Sequence, residues 1–241
     1  MATSWLRPCF LRCIMLTLTN RLQLVADCVQ PCICLADIGT DHAYLPAWCI
    51  LNGKAQFAIA ADINAKPLAN ARQTLGTYGL EERIELRLSD GLQNISADEA
   101  QEIVVAGMGG NQIADMIKNT AWLQDSAKHL ILQPMTHFED VRKSLLENGF
   151  QIEAEYTAAE GKRLYLVISA RYCGEKQDIP EWYLFAGELT HGTTDTDLQF
   201  LQKVLVRLKK RADALKEKDV EKSNRLFTII KEIENECRAS V

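Results

Sequence analysis

Residues 36–46 read ADIGTDHAYLP. A strand-like apolar run, CICLADI (residues 32–38), delivers Asp37 and then Gly39, the opening of a nucleotide-binding loop. A loop that cradles a pyrophosphate would continue with further glycines, whose bare backbone N–H groups face the phosphates. This one continues with Asp41, His42 and Tyr44. Its ligand must sit closely on a strand-end glycine and still tolerate a carboxylate.

Working outward, the same pattern repeats. Apolar runs recur at QFAIAAD (56–62), RIELRLS (83–89), EIVVAG (102–107) and HLILQ (129–133). Helical stretches lie between them: LPAWCILN, KPLANARQTLGTYG, GNQIADMIKNT and FEDVRKSLLENG, after a first helix near residues 20–29. Strands that are apolar almost throughout and alternate with helices indicate a parallel sheet covered on both faces. Two last runs, 150–159 and 163–172, are separated by only a few residues, which is hairpin spacing and makes the final pair antiparallel. The expected fold is α/β: a seven-stranded Rossmann-like sheet of the class I methyltransferase pattern, with its last hairpin antiparallel. From about residue 174 the composition changes to a linker. Leu198, Leu201, Leu205, Leu208, Ala212 and Leu215 then follow at spacings of three and four, a heptad seam, and a second stripe holds Phe227, Ile230 and Ile233. The expected domains are residues 15–173, the sheet, and 174–241, a linker with a C-terminal coiled-coil hairpin.

The chain has 241 residues, 47% hydrophobic and 24% charged, an ordinary balance for one sizeable domain plus an attachment. No apolar run approaches the roughly 18 residues of a membrane span. The first segment is apolar but is cut by Arg12, and no small-residue cleavage motif follows, which argues against a secretory signal. Met15 precedes the first segment with good helical spacing, so residues 1–14 read as a dispensable extension. Eight cysteines would suit a small secreted scaffold. In a chain this large, with no Cys-x-x-Cys pair, they read as reduced thiols of a cytoplasmic protein. No four-ligand zinc spacing occurs, and no metal is expected. The net charge of −5 argues mildly against a nucleic-acid binder on overall balance, but the charge is unevenly spread.

The residues with chemistry sit at strand ends, where open parallel sheets bind ligands. Asp37 and Gly39 end the first strand. Asp62 ends the second, 23 residues after Gly39, the spacing of a ribose-binding acid. Ser89, Asp90 and Gly91 end the third, AGMGG (106–110) the fourth, and Gln133, Pro134 and Met135 the fifth. Acids accept from ribose hydroxyls and an exocyclic amine, and glycines let a ligand approach the backbone. The set suits a nucleoside without phosphates. S-adenosylmethionine, with adenine, ribose and a positive sulfonium, meets these acids more favourably than NAD by Coulomb attraction. Each motif also has a plainer reading: a strand-end cap at Asp37, a solvated acid at Asp62, a turn at Ser-Asp-Gly, a helix start at GMGG, a loop hydrogen-bonder at His42, a strand stop at Gln133-Pro134. Their order along five successive strand ends favours a site.

ADIGTDHAYLP, SDGL, VVAGMGG and LILQP together resemble the bacterial tRNA (adenine-22, N1)-methyltransferase family, over essentially the whole chain from about Met15. The resemblance implies an S-adenosylmethionine domain joined to a coiled-coil hairpin. It places the cofactor loop on Asp37, Ile38, Gly39, Asp41 and His42, and the ribose-binding acid on Asp62 beside Ile63. The adenine-side pair falls on Asp90 and Gly91, and the fourth-strand loop on Ala106, Gly107, Met108, Gly109 and Gly110. Gln133 and Pro134 fall on the substrate side. Met135 departs from the family pattern, in which asparagine follows Gln-Pro.

Adenine N1 carries an in-plane lone pair, so transfer requires positioning of the base and stabilisation of a ring that gains positive charge. Asp41 is the candidate catalytic carboxylate, with helix N-capping as its alternative role; Tyr44 would stack on or border the base. Between residues 203 and 225 nine basic side chains face four acids, with RLKKR densest. Lys209, Lys210 and Arg211 there, and Arg21 and Arg163 elsewhere, are candidate RNA contacts, against a plain solvated helix face. The alternative is a methyltransferase of a small molecule or protein that uses the tail for partner binding. A hairpin satisfies its own seam, so a monomer is expected, with a dimer as the alternative.

Overall fold

The computed structural model describes residues 15–239. The 1–14 extension lies outside the described residues. Helix α1 (Asn20–Cys28) leads into strand β1 (Cys32–Ile38), and the chain then alternates through α2 (Tyr44–Leu51), β2 (Ala55–Asp62), α3 (Ala65–Tyr78), β3 (Ile84–Leu88), β4 (Glu102–Met108), α4 (Gly110–Asn119), β5 (His129–Pro134) and α5 (Phe138–Glu147). A hairpin of β6 (Phe150–Glu160) and β7 (Arg163–Tyr172) completes one seven-stranded sheet of order β3-β2-β1-β4-β5-β7-β6. The first five strands pair in parallel, and β7 joins β5 and β6 antiparallel.

Why the strands are apolar throughout is visible in β1. Leu35 faces a cluster with Val25, Ala47 and Leu75 from α1–α3, while its neighbour Ala36 faces a cluster with Ile113, Val141 and Leu145 from α4 and α5. Both faces are covered, so successive side chains are buried on opposite sides. Burying a Leu or Ile side chain contributes about 1.5–3 kcal/mol.

The expected linker contains a short helix, α6 (Glu181–Ala186), and a 3-10 turn (Gly187–His191). A buried ion pair lashes this segment down. Arg142 Nε donates to Glu155 Oε1 at 2.6 Å, and Arg142 Nη1 reaches the carbonyls of Leu184 and Phe185; Glu155 Oε2 also accepts from the Glu188 N–H. Both ionic side chains have no exposed surface. Removing one partner would strand the other as a buried charge, a loss of about 3–5 kcal/mol.

Helices α7 (Asp195–Leu215) and α8 (Val220–Ala239) form the expected hairpin, but the seam differs from the heptad. Leu198 is exposed, and the buried face of α7 runs through Phe200, Leu201, Val204, Leu208 and Ala212. The reason is that α7 packs on two surfaces. It meets Leu226, Ile229 and Ile233 of α8 while sharing a core with the sheet, with Phe200 edge-on to Phe138 of α5. The second stripe holds, with Ile230 and Ile233 buried.

The six described cysteines are free. Burial raises the thiols of Cys28, Cys32 and Cys49 to about 12, which makes them poor nucleophiles. No helix of the described residues is long and apolar enough to cross a membrane.

Candidate active site

Strand order reverses between β1 and β4, because the chain first builds outward through β2 and β3 and then returns to the other side of β1. The carboxyl ends there open a crevice. Gly39 and Thr40 N–H both donate to the Ala61 carbonyl, at 2.8 and 3.0 Å, which folds the β1 loop against the end of β2. Gly39 sits at φ 82°, and a Cβ there would overlap the Met108 methyl. Met108 reaches that position because β4 bulges between Ala106 and Met108, with Gly107 at φ 83°.

The end of β3 is held as firmly. Ser89 N–H donates to the Asp62 carbonyl at 2.9 Å, and the buried Ser89 hydroxyl donates to Gly91 O at 2.8 Å and accepts from Asn94 N. Arg87 pins the following loop through Glu99, at 2.8 Å, and the Asn94 carbonyl. Ser-Asp-Gly is therefore a turn and also part of the crevice wall.

The crevice measures about 830 Å³. Of the predicted residues it is lined by Gly39, Asp62, Ile63, Asp90, Gly91 and Met108. Asp62, Asp90 and Asp115 supply carboxylates; Ile63, Leu92, Ile95, Met116 and Trp122 supply apolar wall; among the described residues no Lys or Arg lines it. A pyrophosphate would meet three acids and no cation. An adenosyl sulfonium meets attraction and an apolar slot for its base, so the donor set fits that group.

Other predicted residues have supporting positions. Asp37 lies beneath the crevice at the end of β1, only 6% exposed. Burial raises its carboxyl to about 6, against the lowering pull of the Thr40 hydroxyl and the Arg21 charge. Ile38 is core. Gly109 precedes α4, its N–H donating to Gln112 Oε1 at 3.3 Å. A Cβ on Gly110 would run into the carbonyls of Thr136 and His137, so that glycine permits close packing of α4 on the β5 loop.

Asp41 does not cap α2. The N-cap is Ala43, held in the left-handed region at φ 53° with its N–H on the Thr40 hydroxyl, and Asp41 is 70% exposed with His42 Nε2 at 3.5 Å. The Thr40 hydroxyl shapes the loop ahead of α2, and the N-cap residue itself makes no side-chain hydrogen bond to the helix. The His42 and Tyr44 rings stack in parallel, centroids 5.1 Å apart, on the same loop.

Gln133 is fully buried: its carbonyl accepts from Arg21 Nη1 at 2.8 Å, and its amide donates to Pro134 O at 2.9 Å and approaches Met135 Sδ. Its side chain is engaged inside the fold. On α7, Lys210 shares a shallow groove with Gln199, Gln202, Lys203, Val206 and Arg207, while Lys209 and Arg211, each about 100° away around the helix, lie on its flanks.

Residues 18–168 match the methyltransferase domain family. A Bacillus subtilis tRNA (adenine(22)-N(1))-methyltransferase is 37% identical over 64% of this chain and 65% of its own length. The crystal structure of the B. subtilis m1A22 tRNA methyltransferase superposes with a TM-score of 0.79 at 28% identity, over 94% of this chain and 99% of that one. A Streptococcus pneumoniae protein solved in complex with S-adenosyl-L-methionine does so at 0.78 and 30% identity, over 90% and 99%. The chain belongs to the tRNA (adenine-22, N1)-methyltransferase family. In this family member the sequence reading missed the inner face of α4. Gln112, Asp115, Met116 and Asn119 line the crevice at helical spacing. That i, i+3, i+4, i+7 stripe directly after AGMGG was the available signal. Trp122 carried no such signal.

Proposed function

We propose that the protein transfers a methyl group from S-adenosylmethionine to N1 of adenine 22 in tRNA. The observation that carries this reading is the crevice at the β1–β4 reversal, lined among the described residues by three carboxylates and no cation. When bound, S-adenosylmethionine would supply an electrophilic methyl whose carbon–sulfur electron pair stays on sulfur as the N1–carbon bond forms. Of the lining residues, Asp62 would accept from the ribose hydroxyls, and Asp90 with the Ser89–Gly91 turn would hold the adenine edge, with Ile63, Leu92 and Trp122 as apolar wall. Gly39 and Met108 would border the methyl-donating end.

On the acceptor side, adenine N1 needs no deprotonation, so the chain must orient the base and offset its growing positive charge. Asp41, exposed on the β1–α2 loop, is the carboxylate we assign to that offset, and the parallel His42–Tyr44 pair is the stacking surface we assign to a base displaced from its RNA neighbours. The basic groove of α7 holds the rest of the tRNA in the cytoplasm of the cell.

The decisive experiment incubates the protein with unmodified tRNA and labelled cofactor and maps the product nucleoside. Label on N1 of adenine 22 is expected; no incorporation, or label elsewhere, refutes the reading. Asp41→Ala tests the catalytic assignment. Turnover is expected to fall about a hundredfold with cofactor affinity kept, within the usual contribution of electrostatic stabilisation; unchanged turnover removes Asp41 from the mechanism.

A further inference from the structure

We infer that Arg21 is the anchor for the phosphate of the displaced nucleotide, held ready by Gln133 and Tyr165. The inference rests on the RNA reading above. Arg21 stands on the first turn of α1, and that helix is fixed at the acceptor edge of the sheet: Asn20 Nδ2 donates to Ala159 O at 2.9 Å, and the Arg21 N–H donates to Glu160 Oε2 at 3.2 Å. Its guanidinium lies 5.8 Å from the centre of the buried Tyr165 ring. It also lies 3.5 Å from where a Cβ on Gly107 would stand, so the bulge glycine leaves it room. One Nη1 donor is fixed on Gln133 Oε1. Among the described residues, no hydrogen bond engages the rest of the fork. A half-buried guanidinium with one arm clamped and the others open is a preorganised fork for an oxyanion.

Two other jobs fit less well. Neutralising Asp37 is one, but that carboxyl stays raised to about 6 with Arg21 in place, so burial outweighs the pairing. Contacting the target ring is the other, but a cation there would repel the positive charge that N1 acquires. A phosphodiester, which a displaced nucleotide brings with it, has the charge and the pair of non-bridging oxygens that the fork suits. Lys162 and Arg163 are exposed on the adjoining β6–β7 turn, next to Glu160, whose carboxylate is engaged by the Arg21 N–H.

The test measures tRNA binding and methylation at several salt concentrations for wild type, Arg21→Ala and Arg21→Lys, with cofactor affinity by calorimetry. For Arg21→Ala, tRNA affinity is expected to fall roughly tenfold. Its dependence on log salt should become shallower by about 0.7–0.9, the loss of one phosphate contact. Cofactor affinity should stay within about twofold, which also reports an intact fold. Arg21→Lys should restore the salt slope and only part of the turnover, since an ammonium keeps the charge and loses the fork. A salt slope unchanged in Arg21→Ala, or cofactor affinity falling in step with tRNA affinity, overturns the phosphate anchor and leaves the proposed reaction standing. A wild type that neither binds nor methylates tRNA sinks both.

Discussion

Two surfaces of this molecule carry opposite charge. Among the described residues, the crevice at the β1–β4 reversal has Asp62, Asp90 and Asp115 and no base. The groove along α7 has Lys203, Arg207 and Lys210 and, among the described residues, no acid in its lining. The overall charge of −5 averages over both and describes neither. What the difference teaches is that the two substrates of the proposed reaction are sorted by field: a compact cation goes to the acids, and a polyanion goes to the bases. The Arg207 guanidinium also lies on Phe138 and pairs with Glu139 at 3.2 Å, and Lys203 Nζ reaches the Lys162 carbonyl at 3.3 Å. The basic stripe is thereby tied to the start of α5 and to the β6–β7 turn, both on the ligand edge of the sheet.

The largest expected effect comes from reversing the stripe. Lys203→Glu, Arg207→Glu and Lys210→Glu combined should lower kcat/KM for tRNA by at least about a thousandfold at low salt, with the loss shrinking as salt rises. Calorimetric cofactor affinity should not change. Reversing the flanking Lys209 and Arg211 instead should cost less than about tenfold. Equal losses from both sets would mean that tRNA senses the hairpin as a diffuse cloud of charge, and that the stripe has no separate identity.

Asp62→Lys attacks the other surface. It removes an acceptor for ribose hydroxyls and sets a cation beside a sulfonium, so cofactor affinity should fall a few hundredfold. tRNA binding, measured without cofactor, should hold or tighten slightly. A variant that still binds the cofactor normally, with an unaltered melting temperature, would remove the acid crevice from the proposal.

The two surfaces were unequally legible in the sequence. The strands were plain because both sheet faces are covered, and each strand end announced itself by an acid, a glycine or, at Gln133, an amide. Asp62 and Asp90 needed nothing beyond strand order to be brought together. The α7 stripe was hidden because residue counting registered RLKKR as a cluster, whereas the helix turns Lys209 and Arg211 to either side of Lys210. Leu198 misled for a related reason: a seam shared between α8 and the sheet does not keep heptad spacing. The Arg21–Gln133 clamp joins residues 112 apart, a tertiary choice that no local pattern announces. The loop before α2 turned on a local one: the Ala43 N–H took the Thr40 hydroxyl, and Asp41 was left exposed.

Asp37 gives the subtlest test, since it lies under the acid crevice without lining it. Its carboxyl is raised from 3.8 to about 6 by burial. The native state therefore holds a proton that the unfolded chain has already released, and stability must fall as pH rises between those values. The contribution is fully present below about pH 4, is lost as pH passes 6, and is flat beyond, with a limit of about 3 kcal/mol. Comparing chemical denaturation of wild type with Asp37→Asn across pH 4–8 isolates it, because the amide cannot titrate while other groups change equally in both. The difference should grow through pH 6 in favour of the variant. Saturating cofactor should shrink that difference, because the positive charge it would bring to the crevice favours the ionised form and partly offsets its burial. If the two proteins run parallel across the range, Arg21 and Thr40 already satisfy the carboxylate. The negative field of the crevice would then come from its walls alone, with no share from the strand end beneath.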